Sequence, residues 1–322
     1  MARTLLQIIN AAQQELGLPT SSTTTVIGNT DPTTVQLLAL AQLELDELRR
    51  YHNWTKLHNE YNLIVNVPLV TTGDCTQNSA VITNIPSTAT LSAGYFTVSG
   101  SGIPVASRIL SVDSATQVTL TMENTVATAT SVDLTFSQDT YPEPSDFDHF
   151  ENRTWWDRTN RWELLGPDSP QMDQWHRSGI VVTGPRRHFR QLGMLANNYR
   201  IWPPPSEIAN PLQLAFEYIS NYAVYLAGSQ TSFSQFWTND TDTPILDDRA
   251  IIMGIKWRFW AQKGMNYGNM RMDYDNYVDR LVARDGGAPT LSMVRHNRSI
   301  FISNANVQDG FFPGEGGPAN SP

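Results

Sequence analysis

The hydrophobic period of this chain changes twice, and that change limits the fold more than any single motif. Up to about residue 66 apolar side chains recur at helical spacing. From Val67 to Gln138 they alternate with polar ones, in a stretch rich in Thr, Ser, Val and Gly and almost empty of Lys and Arg. Helical spacing returns further on. A period near 3.6 turns one face of a helix to a core, and a period of two does the same for a strand. The chain therefore has to be mixed, with a separate block of strands.

Leu5, Ile8, Ile9, Ala12 and Leu16 share one helical face, and Gly17 and Pro19 end it. Asp31 as N-cap and Pro32 at the first helical position open a longer helix. Leu37, Ala41, Leu45 and Leu48 line one side of it, and Glu44, Glu47, Arg49 and Arg50 line another. Within 67–138 the runs "SAVITNI", "RILSVDS", "QVTLTM" and "SVDLTF" alternate between turn clusters. This predicts a small all-β module, Ig-like or barrel-like, inserted in a surface loop of a larger domain. Downstream, "RRHFRQL", "NYRIWP" and "LQLAFEYISNYAVYL" read as strands, and 245–284 as the longest helix. The division is thus 1–66 and 139–288 as the core domain, 67–138 as the module, and 289–322 as an extended arm. The arm has no helical period, and Phe301, Phe311 and Phe312 have no local core to bury them. With Arg295 and Arg298 they are candidates for holding a partner.

The segment "NRTWWDRTNRWELLGP" sets three tryptophans among three arginines. Read as a helix, Trp155 and Trp162 are seven apart and share a face, which makes them core anchors. Arg153, Arg158 and Arg161 then stay on the surface as candidates for a subunit interface. A nucleic-acid groove uses the same residue types, but the chain carries 31 acidic against 22 basic residues, a formal charge of −9. Proteins that grip phosphate backbones show the reverse balance. Cys75 is the lone cysteine, so neither an intrachain disulfide nor a thiolate zinc cluster is available. No apolar run approaches the ~20 residues of a membrane-spanning helix.

No sequence pattern of an enzyme is present: no HExxH, no glycine-rich phosphate loop, no serine elbow. The six histidines make no metal or catalytic spacing. Asp146, Asp148 and Glu151 are the best catalytic candidates, as a glycosidase-like carboxylate group. The simpler reading makes them caps and first-turn carboxylates of a helix. No catalytic residue, cofactor or metal is expected.

From "YPEPSDF" through the Trp/Arg stretch, "GPDSP", the basic strand and "IWPPPS", and on through "LAFEYISNYAV" and "TDTPILDD", the chain resembles the head-to-tail adaptor (connector) proteins of short-tailed double-stranded DNA phages. The likeness covers about 1–66 and 139–312 and departs at Glu143, where the lead more usually has an apolar residue. It implies an α+β fold, with a helical-bundle core and a small strand region. It also implies a structural virion protein at the head–tail junction, assembled in the host cytoplasm. Its partners would be the portal protein, a tail nozzle protein and copies of itself in a ring, twelve-fold in such adaptors. The C-terminal segment would reach the portal, and DNA would pass without specific binding, helped by an acidic lining. No membrane is involved in this reading. The alternative is a virion-associated glycan-binding or glycan-cleaving protein that uses the β module as its carbohydrate binder.

Overall fold

The computed structural model describes residues 3–19, 24–151, 153–178, 187–192, 198–205, 211–227, 229 and 231–286. The arm expected over 289–322 lies outside them. Helix α1 (Leu5–Leu16) opens on a capping box, in which the Thr4 side chain takes the Gln7 amide and the Gln7 side chain takes the Thr4 amide. Gly17 closes it in the left-handed region at φ 71°. Helix α2 (Pro32–Tyr51) has Asp31 as N-cap, accepting from the Thr34 amide. Both helices follow the sequence reading closely.

Strands follow: β1 (His58–Ile64), β2 (Leu69–Cys75), β3 (Val81–Thr83), β4 (Phe96–Gly100), β5 (Ile109–Ser114), β6 (Gln117–Leu120) and β7 (Ala129–Gln138). Next come β8 (Thr140–Pro142), β9 (Phe147–Phe150), β10 (Trp156–Asp157), β11 (Trp162–Glu163) and the short helix α3 (Pro170–Arg177). Strands β12 (His188–Leu192), β13 (Asn198–Trp202), β14 (Gln213–Ser220), β15 (Val224–Tyr225), β16 (Phe233–Ser234) and β17 (Thr243–Pro244) lead to helices α4 (Asp248–Gln262) and α5 (Gly268–Arg284).

The helical-bundle core expected from the resemblance is not what forms. Among the described residues most of the architecture is antiparallel sheet, in four sheets, and helices α1, α2, α4 and α5 supply only one of three hydrophobic cores. Two stretches expected as single helices also differ. The Trp/Arg segment is not a helix but the β10–β11 hairpin, and the stretch 245–284 is two helices rather than one. Helix α4 starts late, on Asp247 as N-cap, and stops at Gln262, where Gly264 turns left-handed at φ 70° and the Met265 amide bonds back to the Trp260 carbonyl.

In the helical core, Leu5, Ile8 and Ile9 of α1 meet Leu37, Ala41 and Leu45 of α2, and Ile251, Ile252 and Ile255 of α4. Gly254 lies where α4 comes nearest to α2: a Cβ there would fall 2.0 Å from Glu44 Cδ. Glu44 and Arg49 were read with the polar side of α2, yet both are buried. Glu44 accepts from Arg258 Nε at 2.8 Å and from the Tyr274 hydroxyl. Arg49 donates to Asp46 at 2.8 Å and Asp148 at 2.9 Å.

The second core lies between two sheets. One has the order β1-β14-β10-β11, with β9 also on β14, and the other is β12-β13-β8. Strand β1 pairs with β14 from His58↔Ile219 to Ile64↔Gln213. Trp155 fills the middle, stacked on Phe189 at 4.2 Å and Phe216 at 4.1 Å, with Tyr199 edge-on at 4.9 Å.

The third core belongs to residues 69–138, whose strands pair only among themselves, in the order β4-β7-β2-β3-β6-β5. A bridge between Thr97 and Arg108 joins the two ends of this sheet, so it curls toward a barrel. Leu69↔Phe136 places the first and last strands of the module, β2 and β7, side by side. Arg108 reaches out of it to Asp139 at 2.8 Å and Thr140 at 2.8 Å, and Thr97 Oγ1 donates to Asp139 at 2.7 Å. The module is therefore tied to its neighbours through a buried carboxylate.

The loop between β16 and β17 is built on Asp242. Its carboxylate accepts from the amides of Ala227, Thr238 and Asn239, each at 2.8 Å. Burial alone would push this carboxyl up, but the three amides hold it below the usual carboxylate range. A lowered folded pKa adds stability above the unfolded value, and that contribution is lost as pH falls through the folded one. Asp242→Asn should therefore melt below the parent at pH 7. The gap should narrow as pH drops below about 4, the ordinary aspartate range, which thermal melts across pH will show.

Candidate functional site

The Trp/Arg segment lines a groove of about 450 Å³ over β14, together with Ala215, Phe216 and Glu217. Strand β10 pairs with β14 through Trp156↔Ala215 and Asp157↔Leu214, and β11 folds back through Trp156↔Glu163. Asp157 makes the turn: its carboxylate accepts the Asn160 amide and side-chain N–H, both at 2.9 Å. A short acidic side chain thus closes the turn by taking the backbone amide three residues on, in competition with regular structure. Thr154 fixes the other end, since its hydroxyl accepts from the Glu217 amide at 3.1 Å.

A strand sends neighbouring side chains to opposite faces, so the two expected anchors part company. Trp155 is 1% exposed in the core, while Trp162 is 40% exposed and Trp156 44%. Trp162 is therefore not a core anchor. Trp156, read only as a flanking residue, faces the groove. Arg153, Arg158 and Arg161 are exposed as expected, and all three line the groove. Arg153 and Arg161 take left-handed backbone at φ 63° and 60°, a conformation uncommon outside glycine. Arg158 donates to Glu60 and Asn62, both at 2.9 Å. Glu60, Asp157 and Glu217 add carboxylates to the same lining.

The carboxylates offered as catalytic candidates lie just before, within and just after a strand, β9, and not at the start of the helix the capping reading required. Asp146 is buried and accepts from the Tyr218 hydroxyl at 2.8 Å and the Ser220 hydroxyl at 2.7 Å. Asp148 bonds Arg49 at 2.9 Å and His149 at 2.8 Å. Burial raises its carboxyl, but these two partners outweigh burial and hold it low. Glu151 accepts from Asn53 at 3.5 Å. Each is engaged in holding elements together, and none of the three lines the groove. Arg295, Arg298, Phe301, Phe311 and Phe312 lie outside the described residues.

No protein-family model matches the chain, and no curated protein is similar to it. No helix among the described residues is long and apolar enough to cross a membrane.

Proposed function

We propose that this chain is a structural protein that assembles with copies of itself through the arginine groove, as a ring at a phage head–tail junction. The observation that carries the reading is the gathering of Arg153, Arg158, Arg161 and the exposed Trp156 around one groove. Trp and Arg are the residues that most often dominate protein–protein binding energy. The groove sets the three arginines among Glu60, Asp157 and Glu217, and a second copy of a chain with 31 acidic against 22 basic residues can offer further carboxylates to those arginines. A contact between two different patches makes a ring when the rotation it repeats closes on itself. The motif order from "YPEPSDF" to "TDTPILDD" supports the head–tail setting, with the portal on one side, the nozzle on the other and DNA passing through. This role requires no reaction.

The test is Arg153→Glu/Arg158→Glu/Arg161→Glu. Exposed ion pairs contribute only about 0–1 kcal/mol each, so the melting of the isolated chain should barely move. Sedimentation velocity should show the parent as a multimer that raised salt loosens, and the triple variant as a monomer. A parent that stays monomeric at every concentration, or a variant that assembles like the parent, overturns the reading. DNA binding that depends on these arginines overturns it as well and makes the groove a nucleic-acid site.

A further inference from the structure

Asp168, His176 and His188 show no metal spacing in the sequence, yet the fold brings them together. Asp168 sits in the loop before α3, where its amide donates to the Phe189 carbonyl at 2.8 Å. His176 is in the last turn of α3, and His188 opens β12. His188 Nδ1 lies 3.2 Å from one Asp168 oxygen, and His176 Nε2 lies 3.7 Å from the other. The two rings are 4.2 Å apart, and one ligand atom from each of the three residues falls within 4.8 Å of the others. The side chains are 12%, 12% and 21% exposed for Asp168, His176 and His188. His176 Nε2 is buried with no hydrogen bond.

We propose that these three side chains bind one divalent transition-metal cation, of the zinc class, which fastens α3 to the sheet. Zinc takes imidazole nitrogen and carboxylate oxygen at about 2.0–2.2 Å in tetrahedral geometry, which sets neighbouring ligand atoms about 3.4 Å apart. His188 Nδ1 stands 3.2 Å from one Asp168 oxygen, close to that separation, and one ligand atom of each residue lies within 4.8 Å of the others. Calcium and magnesium are poor candidates, because they call for a shell of oxygens and the cluster offers one carboxylate against two imidazoles. The nearby arginines are served elsewhere: Arg177, Arg190 and Arg200 converge on Asp173 at 3.8, 2.7 and 3.4 Å.

Helix α3 has reason to be fastened. At 8 residues it is too short to be stable alone. Its one buried residue is Asp173, while Met172 and Trp175 are exposed. Apolar burial therefore gives it little hold, and polar links do the work, including the Trp202 indole N–H donating to the His176 carbonyl at 3.1 Å. A cation shared by Asp168, His176 and His188 adds a link at the same end.

The experiment uses the full chain without a histidine tag, stripped with chelator, and titrated with Co²⁺ and then Zn²⁺. One Co²⁺ per chain should bind with visible d–d absorption, and Zn²⁺ should displace it and raise the melting temperature. Asp168→Asn and His188→Gln should each weaken binding more than about 100-fold, beyond what loss of an outer-shell partner does. In the parent, the ring NMR signals of His176 and His188 should shift with zinc, while those of His52, His58, His149 and His296 stay put. This readout decides the matter even if the variants fail to fold. Absence of one-to-one binding, binding retained in both variants, or zinc shifts confined to the other histidines overturns the proposal.

Discussion

Trp155→Ala is expected to cost about 3–5 kcal/mol, the range for removing a large aromatic from a packed core. The indole lies between Phe189 and Phe216 with interplanar angles of 20° and 18°, and Phe150 meets it edge-on at 5.2 Å. Few neighbouring atoms can collapse into that gap, because the rings on both sides belong to separate sheets. Domain stability is of order 5–15 kcal/mol, so urea melts should show the loss clearly. Trp155→Phe should recover most of it, since the indole N–H makes no hydrogen bond among the described residues. Trp162→Ala serves as the internal control. That side chain is 40% exposed, and surface substitutions usually stay within about 0.5 kcal/mol. Equal losses at the two tryptophans would restore the helical reading of the segment and remove the hairpin.

Glu44→Ala should cost about 3 kcal/mol, because breaking a buried pair strands its partners. Arg258 would lose one carboxylate while keeping Glu47 at 2.6 Å, which holds the loss to the lower end of the range. Tyr274 would lose the acceptor of its hydroxyl. Burial pushes the Glu44 carboxyl above its ordinary value, against the pull of Tyr274 and Arg258. The folded state thus holds the Glu44 proton more tightly than the unfolded one. This group's contribution is fully present below the unfolded value near 4.5 and is lost as pH rises through the raised folded one. Glu44→Gln removes that dependence while keeping the shape. Melts from pH 4 to 7 should therefore find the difference between Glu44→Gln and the parent shifting in favour of Gln as pH rises. A difference that does not move with pH would mean Glu44 is not held in this way.

The parts of the fold that could be read from the sequence are those where one local signal suffices. Asp31-Pro32 announces α2, and the alternation around Ile109–Ser114 and Gln117–Leu120 announces strands of the module. The Trp/Arg segment defeated the same approach because its two outer tryptophans sit seven apart, which fits a helix by coincidence of spacing. Its turn has no glycine to mark it, and its left-handed positions are arginines. The available signal was Asp157 followed by Asn160, residue types that favour turns. Glu44 looked solvated because Arg258 and Tyr274, the residues that make its burial tolerable, lie more than 200 positions away. Asp168, His176 and His188 lie within 20 positions of one another but at no recognised metal spacing, so only the folded arrangement of α3 and β12 shows them as a cluster. At the groove the arginines could be read and the exposed Trp156 could not, because which tryptophan faces out depends on the strand register of Trp156↔Ala215.

The central claim is that the arginine groove is a contact between copies of this chain. Cryo-electron microscopy of the assembled particle tests it most directly. A neighbouring copy should fill the groove in every subunit, with carboxylates within about 4 Å of the Arg153 and Arg161 guanidinium groups, the reach of an ion pair, and Trp156 covered. A closed particle in which the groove opens to solvent in every subunit contradicts the account.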